Sequence, residues 1–410
     1  MGRPVRAIPR FYYLSGELTA QDTSVERRTR GGRTFYVTRY RDDEEKQRSK
    51  NFTRKTDADR FAATVAADRV RGTYRDPDAG KQRFEPYAKA WLEAQTFDES
   101  TREAVGLRLR PHGLPVLGHK DLRLLKPSTM QAWLRSLERL APSYQRVIFV
   151  NVSSILNAAV DDELLAKNPC QAASVRTPEA EQRKVVPWTS AQVQAVRAGL
   201  PDRYAVVAVL AAGLGLRQGE VFGLSPIDVD FLRGVVRVRR QVKVYGNNKQ
   251  AFALPKGKKV RLVPLPSSVR DALAAYLVAF PAKSVTLPWE SLVGKPTTSP
   301  LILTSREGGA ANRNYFNPKI WKPALVTAKI PPTRDNGCHA LRHHYASVLL
   351  DGGESIKAVS EYLGHADAGF TLRTYTHLMP SSDVRTRKAI DAAFSACVPD
   401  VYQGPETGPV

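Results

Sequence analysis

The chain has 410 residues, enough for two or three domains, and its 62 lysines and arginines against 40 acids give a formal charge of +22. So large an excess points to a polyanionic partner, nucleic acid before an anionic membrane surface. No apolar run approaches the roughly twenty residues that span a bilayer. The basic start lacks the apolar segment of a leader, and Arg6 stands where myristoylation needs Ser or Thr, so neither leader nor lipid anchor is expected.

Cys170, Cys338 and Cys397 are scattered, which fits neither a disulfide framework nor a zinc site and makes a reducing cytoplasm the expected home. Cys338 and His339 are sequence neighbours and would point to different sides of a helix, so they are not read as a nucleophile pair.

Residues 1 to about 24 read as irregular. From Arg33 the pattern alternates, with Phe35 and Val37 on one side and Tyr36, Thr38 and Tyr40 on the other. Asp42 to Glu45 reads as a turn and Gln47 to Thr53 as a second strand. Thr56-Asp57-Ala58-Asp59 opens a helix with the stripe Phe61, Ala62, Val65 and Ala66, ended by Gly72. This is a small β-β-α module within residues 1–75, ordered from about 30, where eighteen basic residues meet ten acids. If it binds DNA, Arg39, Arg41, Arg48 and Lys50 are the strand residues expected to do so; otherwise they form a solvated charged face.

Arg75 to Gly80 reads as a linker, and a helical domain follows over 82–170. Phe84, Tyr87, Ala88, Trp91 and Leu92 recur at helical spacing. Capping-box patterns at Ser100-x-x-Glu103 and Ser128-x-x-Gln131 predict helices over about 101–110, 128–139 and 143–160. Val147, Val150, Ile155 and Leu156 suit a core, and Trp91 and Trp133 are expected to pack rather than stack on bases. Residues 168–187, with Pro169 and Pro178, read as a second linker.

A third domain is expected over 186–398. Thr189-Ser190-Ala191-Gln192 is another capping box, and an apolar helix, Ala205 to Ala212, leads to Gly213-Leu214-Gly215-Leu216-Arg217-Gln218-Gly219-Glu220. This glycine-rich run lacks the Gly-Lys-Ser/Thr ending of a P-loop. Strands are expected at Val235–Arg239, Ala251–Leu254 and Val260–Leu265, the last two joined by the turn Pro255-Lys256-Gly257-Lys258-Lys259. Pro281 to Pro300 reads as a loop, Leu301 to Thr304 as a short buried segment, and Arg313 to Lys319 as the start of a helix. A final amphipathic helix is predicted over 383–397, and 399–410 as a disordered tail.

Cys338 to His377 is the densest stretch in chemistry. His339 and Arg342 share a helix face, Leu363-Gly364-His365 sits at a predicted helix stop, and Tyr375 follows within Thr374-Tyr375-Thr376-His377. The spaced set resembles the tyrosine recombinase (phage integrase) family: Gly-x-Arg-x-x-Glu at Arg217 and Glu220, Lys-Gly-x-x-x-Arg-x-Val-Pro-Leu at Lys256, His-x-x-Arg, Leu-Gly-His and the tyrosine. The likeness covers about residues 30 to 395, most strongly 213–378.

The resemblance implies a multidomain, mainly α protein with small β-sheets: an arm-type DNA-binding module, a helical core-binding domain and a recombinase catalytic domain. Arg102, Arg108 and Arg146, with Arg110, Lys120 and Arg123, would grip phosphates from the helical domain, and Lys258 from the catalytic one. The implied catalytic set is Arg217, Lys256, His339, Arg342, His365 and the nucleophile Tyr375, with Glu220 bracing Arg217. His343, His344, Tyr345 and His377 are read as structural. The implied reaction cleaves and rejoins DNA through a 3′-phosphotyrosyl link, with no metal, cofactor or ATP, integrating or excising a phage or mobile element. Fork-shaped arginines suit a phosphate that gains charge as it becomes five-coordinate. His339 would take the phenol proton, and Lys256, crowded by positive charge, would protonate the leaving 5′-oxygen. Implied partners are double-stranded core-type and arm-type sites, three further subunits in a homotetramer, a DNA-bending host factor and a directionality factor, in a bacterial cytoplasm at the nucleoid. The rivals are a type IB topoisomerase and an inactive DNA-binding regulator.

Overall fold

The computed structural model describes residues 23–41, 47–70, 79–179, 185–378, 387 and 390–394. The expected irregular start as far as residue 22, the turn over 42–45, the helix stop at Gly72, most of the first linker and the 399–410 tail lie outside them. Of the final helix expected over 383–397, residues 387 and 390–394 are helical. The chain divides between Glu181 and Gln182 into two compact units.

The first unit opens with β1 (Ser24–Arg30), β2 (Arg33–Arg41) and β3 (Gln47–Phe52), an antiparallel sheet in that order, followed by α1 (Lys55–Val70). The module thus has one strand more than expected. The sequence of β1, Ser-Val-Glu-Arg-Arg-Thr-Arg, carries no apolar alternation by which periodicity could reveal it. Gly31 and Gly32, at φ +57° and +75°, close Arg30 onto Arg33 in a two-residue turn whose twist needs positive φ. Tyr36, Thr38 and Tyr40 share the face toward α1: the Thr38 hydroxyl donates to the Ala58 carbonyl (3.3 Å), and Tyr40 meets Phe61 edge-on.

The helical part contains α2 (Phe84–Ala94), α3 (Glu99–His112), α4 (Leu114–Leu117), α5 (Pro127–Ser136) and α6 (Pro142–Asp161), close to the predicted spans. Their starts differ in chemistry. Asp98, not Ser100, caps α3 by accepting from the Thr101 amide at 2.9 Å. Pro127 opens α5, and Gln131 accepts instead from the Arg176 amide. The buried stripe of α6 is Ile148, Phe149, Val152, Ile155 and Leu156; Val147 and Val150 are 40% and 48% exposed, which removes them from the expected core. Trp133 is buried and donates to the His112 carbonyl at 2.7 Å, and Trp91 packs on Phe97, as expected of packing residues.

The second unit begins with α7 (Ser190–Gly199), whose predicted capping box is present in both directions between Thr189 and Gln192. Then come α8 (Asp202–Leu214), buried along its length, and α9 (Gln218–Phe222). β4 (Val229–Asp230), β5 (Val235–Val238), β6 (Gln241–Val244), β7 (Gln250–Ala253) and β8 (Arg261–Pro264) form two ladders, β4-β5-β8 and β6-β7. The segments flanking Lys256 therefore belong to different ladders and make no hairpin with each other.

After α10 (Ser267–Ala279), the expected loop is a β-hairpin, β9 (Lys283–Pro288) with β10 (Pro296–Leu301). Its prolines hid it. In a two-stranded ladder each strand has an outer edge, where a missing N–H costs nothing. The unit ends with α11 (Arg313–Phe316), a π turn (Asn317–Trp321), α12 (Lys322–Thr327), α13 (His339–Asp351), α14 (Ile356–Leu363) and α15 (Ala368–Tyr375) around one core that includes Phe222, Phe252, Phe316 and Leu341. The protein is mainly helical with small sheets, as expected. No helix of the described residues is long and apolar enough to cross a membrane.

Candidate active site

The site is assembled at the carboxyl end of α14. Gly364 adopts φ +63° there, and the His365 amide reaches back to the Ser360 carbonyl at 3.0 Å, so the helix stops as the sequence predicts. Three successive carbonyls at this stop each receive an arginine: Tyr362 from Arg261 Nε (2.7 Å), Leu363 from Arg342 Nη2 (2.5 Å) and Gly364 from Arg217 Nη2 (3.1 Å). Helix carbonyls without intrahelical partners and the negative end of the dipole make this a favourable place for cations.

Glu220 locks two of the three. Its carboxylate accepts from the Arg217 amide and Nη1, both at 2.9 Å, and from Arg261 Nη1 and Nη2 at 2.9 and 2.6 Å. Burial alone would raise the Glu220 pKa; the Arg261 hydrogen bonds and the charges of Arg261 and Arg217 outweigh it and hold the carboxyl at about 2. Arg342 is 1% exposed, and its Nη1 also donates to the Gly215 carbonyl at 2.6 Å. Its Nε–H is buried with no partner among the described residues. Burial, then the charge of Arg217, lowers its pKa to about 9, so it remains cationic at neutral pH. Gly215 ends α8 at φ +64°, and a Cβ there would lie 2.4 Å from the Tyr345 ring, so only glycine permits this approach.

His339 and His365 are the histidines expected in the site. Burial, then neighbouring positive charge, lowers their pKa values to about 4 and about 3, leaving both neutral at pH 7. His365 Nδ1 lies 2.7 Å from the Thr371 hydroxyl, which lies 2.5 Å from that of Ser360. Tyr375 ends α15 and is 1% exposed. Its hydroxyl lies 2.7 Å from His343 Nδ1. Burial raises its pKa to about 12, against the lowering charge of Arg342.

Arg217, Glu220, His339, Arg342, His365 and Tyr375 are thus gathered in one unit. Lys256 is not bonded into the cluster: it lies exposed in the turn where Gly257 and Lys258 take φ +86° and +56°. Two members went unread in the sequence. Arg261 is the arginine of the Lys-Gly-x-x-x-Arg pattern, so its signal was present. His343 was read as structural, yet it follows His339 by four residues, on the same helix face. The structural reading fits Tyr345, packed on Gly215, His344, 2.7 Å from the Trp188 carbonyl, and His377, 2.7 Å from that of Val185. Among the described residues no three His, Cys, Asp or Glu side chains group to hold a metal ion.

The expected DNA-binding residues lie in different surroundings. Strand register puts Arg48 opposite Tyr40 and Lys50 opposite Thr38, on the α1 face, while Arg39 and Arg41 lie on the other. Lys50 stands over the Phe61 ring at 4.6 Å, and Arg39 pairs with Glu26 at 3.4 Å. Arg102 is a helix-capping residue: its guanidinium donates to the carbonyls of Leu92 (3.3 Å), Glu93 (2.8 Å) and Gln95 (2.7 Å) where α2 ends. Arg146 is exposed with a bond to the Pro178 carbonyl, Arg108 is half-buried, and Lys258 is exposed.

Residues 190–381 match the family model described as the phage integrase family. The chain is 28% identical over 289 residues to a XerC-like tyrosine recombinase of Caldanaerobacter subterraneus subsp. tengcongensis, covering 67% of this chain and 72% of that one. It is 26% identical over 300 residues to a putative prophage phiRv2 integrase of Mycobacterium tuberculosis, covering 73% and 76%. Its fold matches the Tn1549 transposon integrase, solved with transposon right end DNA, with a TM-score of 0.60 at 19% identity over 75% of this chain and 98% of that one.

Proposed function

The chain belongs to the tyrosine recombinase (phage integrase) family, and on that footing we propose that it cleaves and rejoins DNA with Tyr375 as nucleophile, as a site-specific recombinase of a phage or mobile element. The observation that carries the residue assignment is the fan of Arg217, Arg261 and Arg342 on carbonyls 362–364, with His339, His365 and Tyr375 around it.

A guanidinium has five N–H donors, and backbone bonds use only some of those on Arg217 and Arg342. Carbonyls and Glu220 fix the two forks; the remaining N–H groups, including the unpartnered Nε–H of Arg342, serve the non-bridging oxygens of one phosphate. The charge that grows on those oxygens meets donors already in place. His365 adds a hydrogen bond from the ring nitrogen that Thr371 does not occupy.

The Tyr375 oxygen forms the bond to phosphorus, and the bond to the 5′-oxygen breaks. With a pKa of about 12 in the DNA-free protein, ionising the phenol at pH 7 costs about 7 kcal/mol. Proton removal must therefore accompany attack, and His339, neutral at pH 7, is the base that takes the proton. Lys256 protonates the departing 5′-oxygen from its exposed turn. The return step runs the same transfers backward with a new 5′-hydroxyl, so the phosphotyrosyl bond conserves the energy of the broken one, and neither ATP nor a metal ion takes part.

The natural substrate is double-stranded DNA at core-type and arm-type sites, bound by a homotetramer in the bacterial cytoplasm with host bending and directionality factors. The rival topoisomerase and inactive-regulator readings draw no support from relatives that are recombinases and integrases. The test is a nicked suicide duplex built from the attachment junction of the element that encodes the protein. A covalent adduct mapping to Tyr375, absent in Tyr375→Phe, is expected; an adduct at another residue, or none, overturns the proposal.

A further inference from the structure

Building on the recombinase reading, we propose that His343 is a positioning residue for the nucleophile: its Nδ1 accepts the Tyr375 hydroxyl hydrogen and sets the direction of the phenol oxygen's lone pairs. The reaction scheme above gives His343 no role. Its contact is nonetheless the one hydrogen bond of the Tyr375 hydroxyl among the described residues, at 2.7 Å. Tyr375 is 1% exposed, so water does not compete for that hydroxyl, and its orientation follows from the partner the fold provides.

The imidazole is itself held. On α13 it follows Arg342 by one residue and His339 by four, and its ring meets the His339 ring edge-on at 4.7 Å. Its ring centroid also lies 5.7 Å from that of Tyr375, with the two planes tilted by 60°. Burial and the Arg342 charge keep the ring neutral, with a pKa of about 4. A neutral ring offers a lone pair at Nδ1 when Nε2 carries the proton. Among the described residues no hydrogen bond joins His339 to Tyr375, so in the DNA-free protein it is His343 that holds the phenol hydroxyl.

The experiment measures single-turnover adduct formation on the nicked duplex, alongside DNA affinity and thermal unfolding. His343→Leu keeps bulk but loses the acceptor; its rate is expected to fall about tenfold or more while affinity holds within about twofold. His343→Asn places its Oδ1 near the former Nδ1, and most of the rate returns. Equal rates in wild type and His343→Leu overturn the proposal. So does an equal loss in both variants, because that reports packing alone. If wild type itself forms no adduct, the recombinase reading fails, and the positioning role falls with it. If His343→Leu does not fold, the nitrogen-15 resonance of His343 Nδ1 decides: it moves in Tyr375→Phe if the bond exists, and an unmoved resonance overturns the proposal.

Discussion

Glu220 and Arg261 meet fork to fork, with both carboxylate oxygens paired to both terminal nitrogens at 2.9 and 2.6 Å, and their side chains are 0% and 7% exposed. The pair joins the start of β8 to α9, and the third nitrogen of Arg261 carries the link on to α14. Removing one partner strands a buried charge, which costs about 3–5 kcal/mol. Arg261→Met is expected to lose about that much in urea denaturation, although Arg261 itself needs no contact with DNA.

Acid unfolding should report the same carboxylate. Its folded pKa of about 2 lies below the 4.5 of an ordinary glutamate, so the stabilisation is complete above about pH 4.5 and is lost as pH falls toward 2. The difference corresponds to about 3 kcal/mol. Glu220→Gln is expected to flatten the stability-versus-pH curve over that window; an unchanged slope there would contradict the assignment.

Arg342→Lys keeps a charge but cannot bridge the Gly215 and Leu363 carbonyls and still offer a phosphate donor. Single-turnover cleavage should fall by about a hundredfold or more, with DNA affinity changed far less.

Gly215→Ala must take a positive φ and bring its Cβ to 2.4 Å from the Tyr345 ring. A loss of about 2–3 kcal/mol is expected in chemical denaturation. Gly257→Ala, with positive φ but nothing within 4 Å, should cost only about 1 kcal/mol.

Arg102→Met separates capping from DNA contact. Three carbonyls at the end of α2 lose their donor, so stability should drop by about 1–3 kcal/mol. The salt dependence of DNA binding should keep its slope; a slope reduced by about one would show that Arg102 contacts a phosphate as well.

The local sequence by itself determined that His339 and Arg342 share one helix face, that Thr189 and Gln192 form a capping box and that α14 stops at Gly364. These features depend on neighbours three or four residues apart, which a linear reading sees. Only the tertiary structure decided that Arg261 joins Glu220 across 41 residues, that Arg217 meets Gly364 across 147, and that His343 rather than His339 holds the phenol. It also put Arg48 and Lys50 on the α1 side of their sheet and revealed strands with too little alternation or too many prolines to announce themselves. A charged side chain carries no mark of its partner in the sequence around it. Burial makes that partner obligatory, and burial exists only once distant segments have packed together.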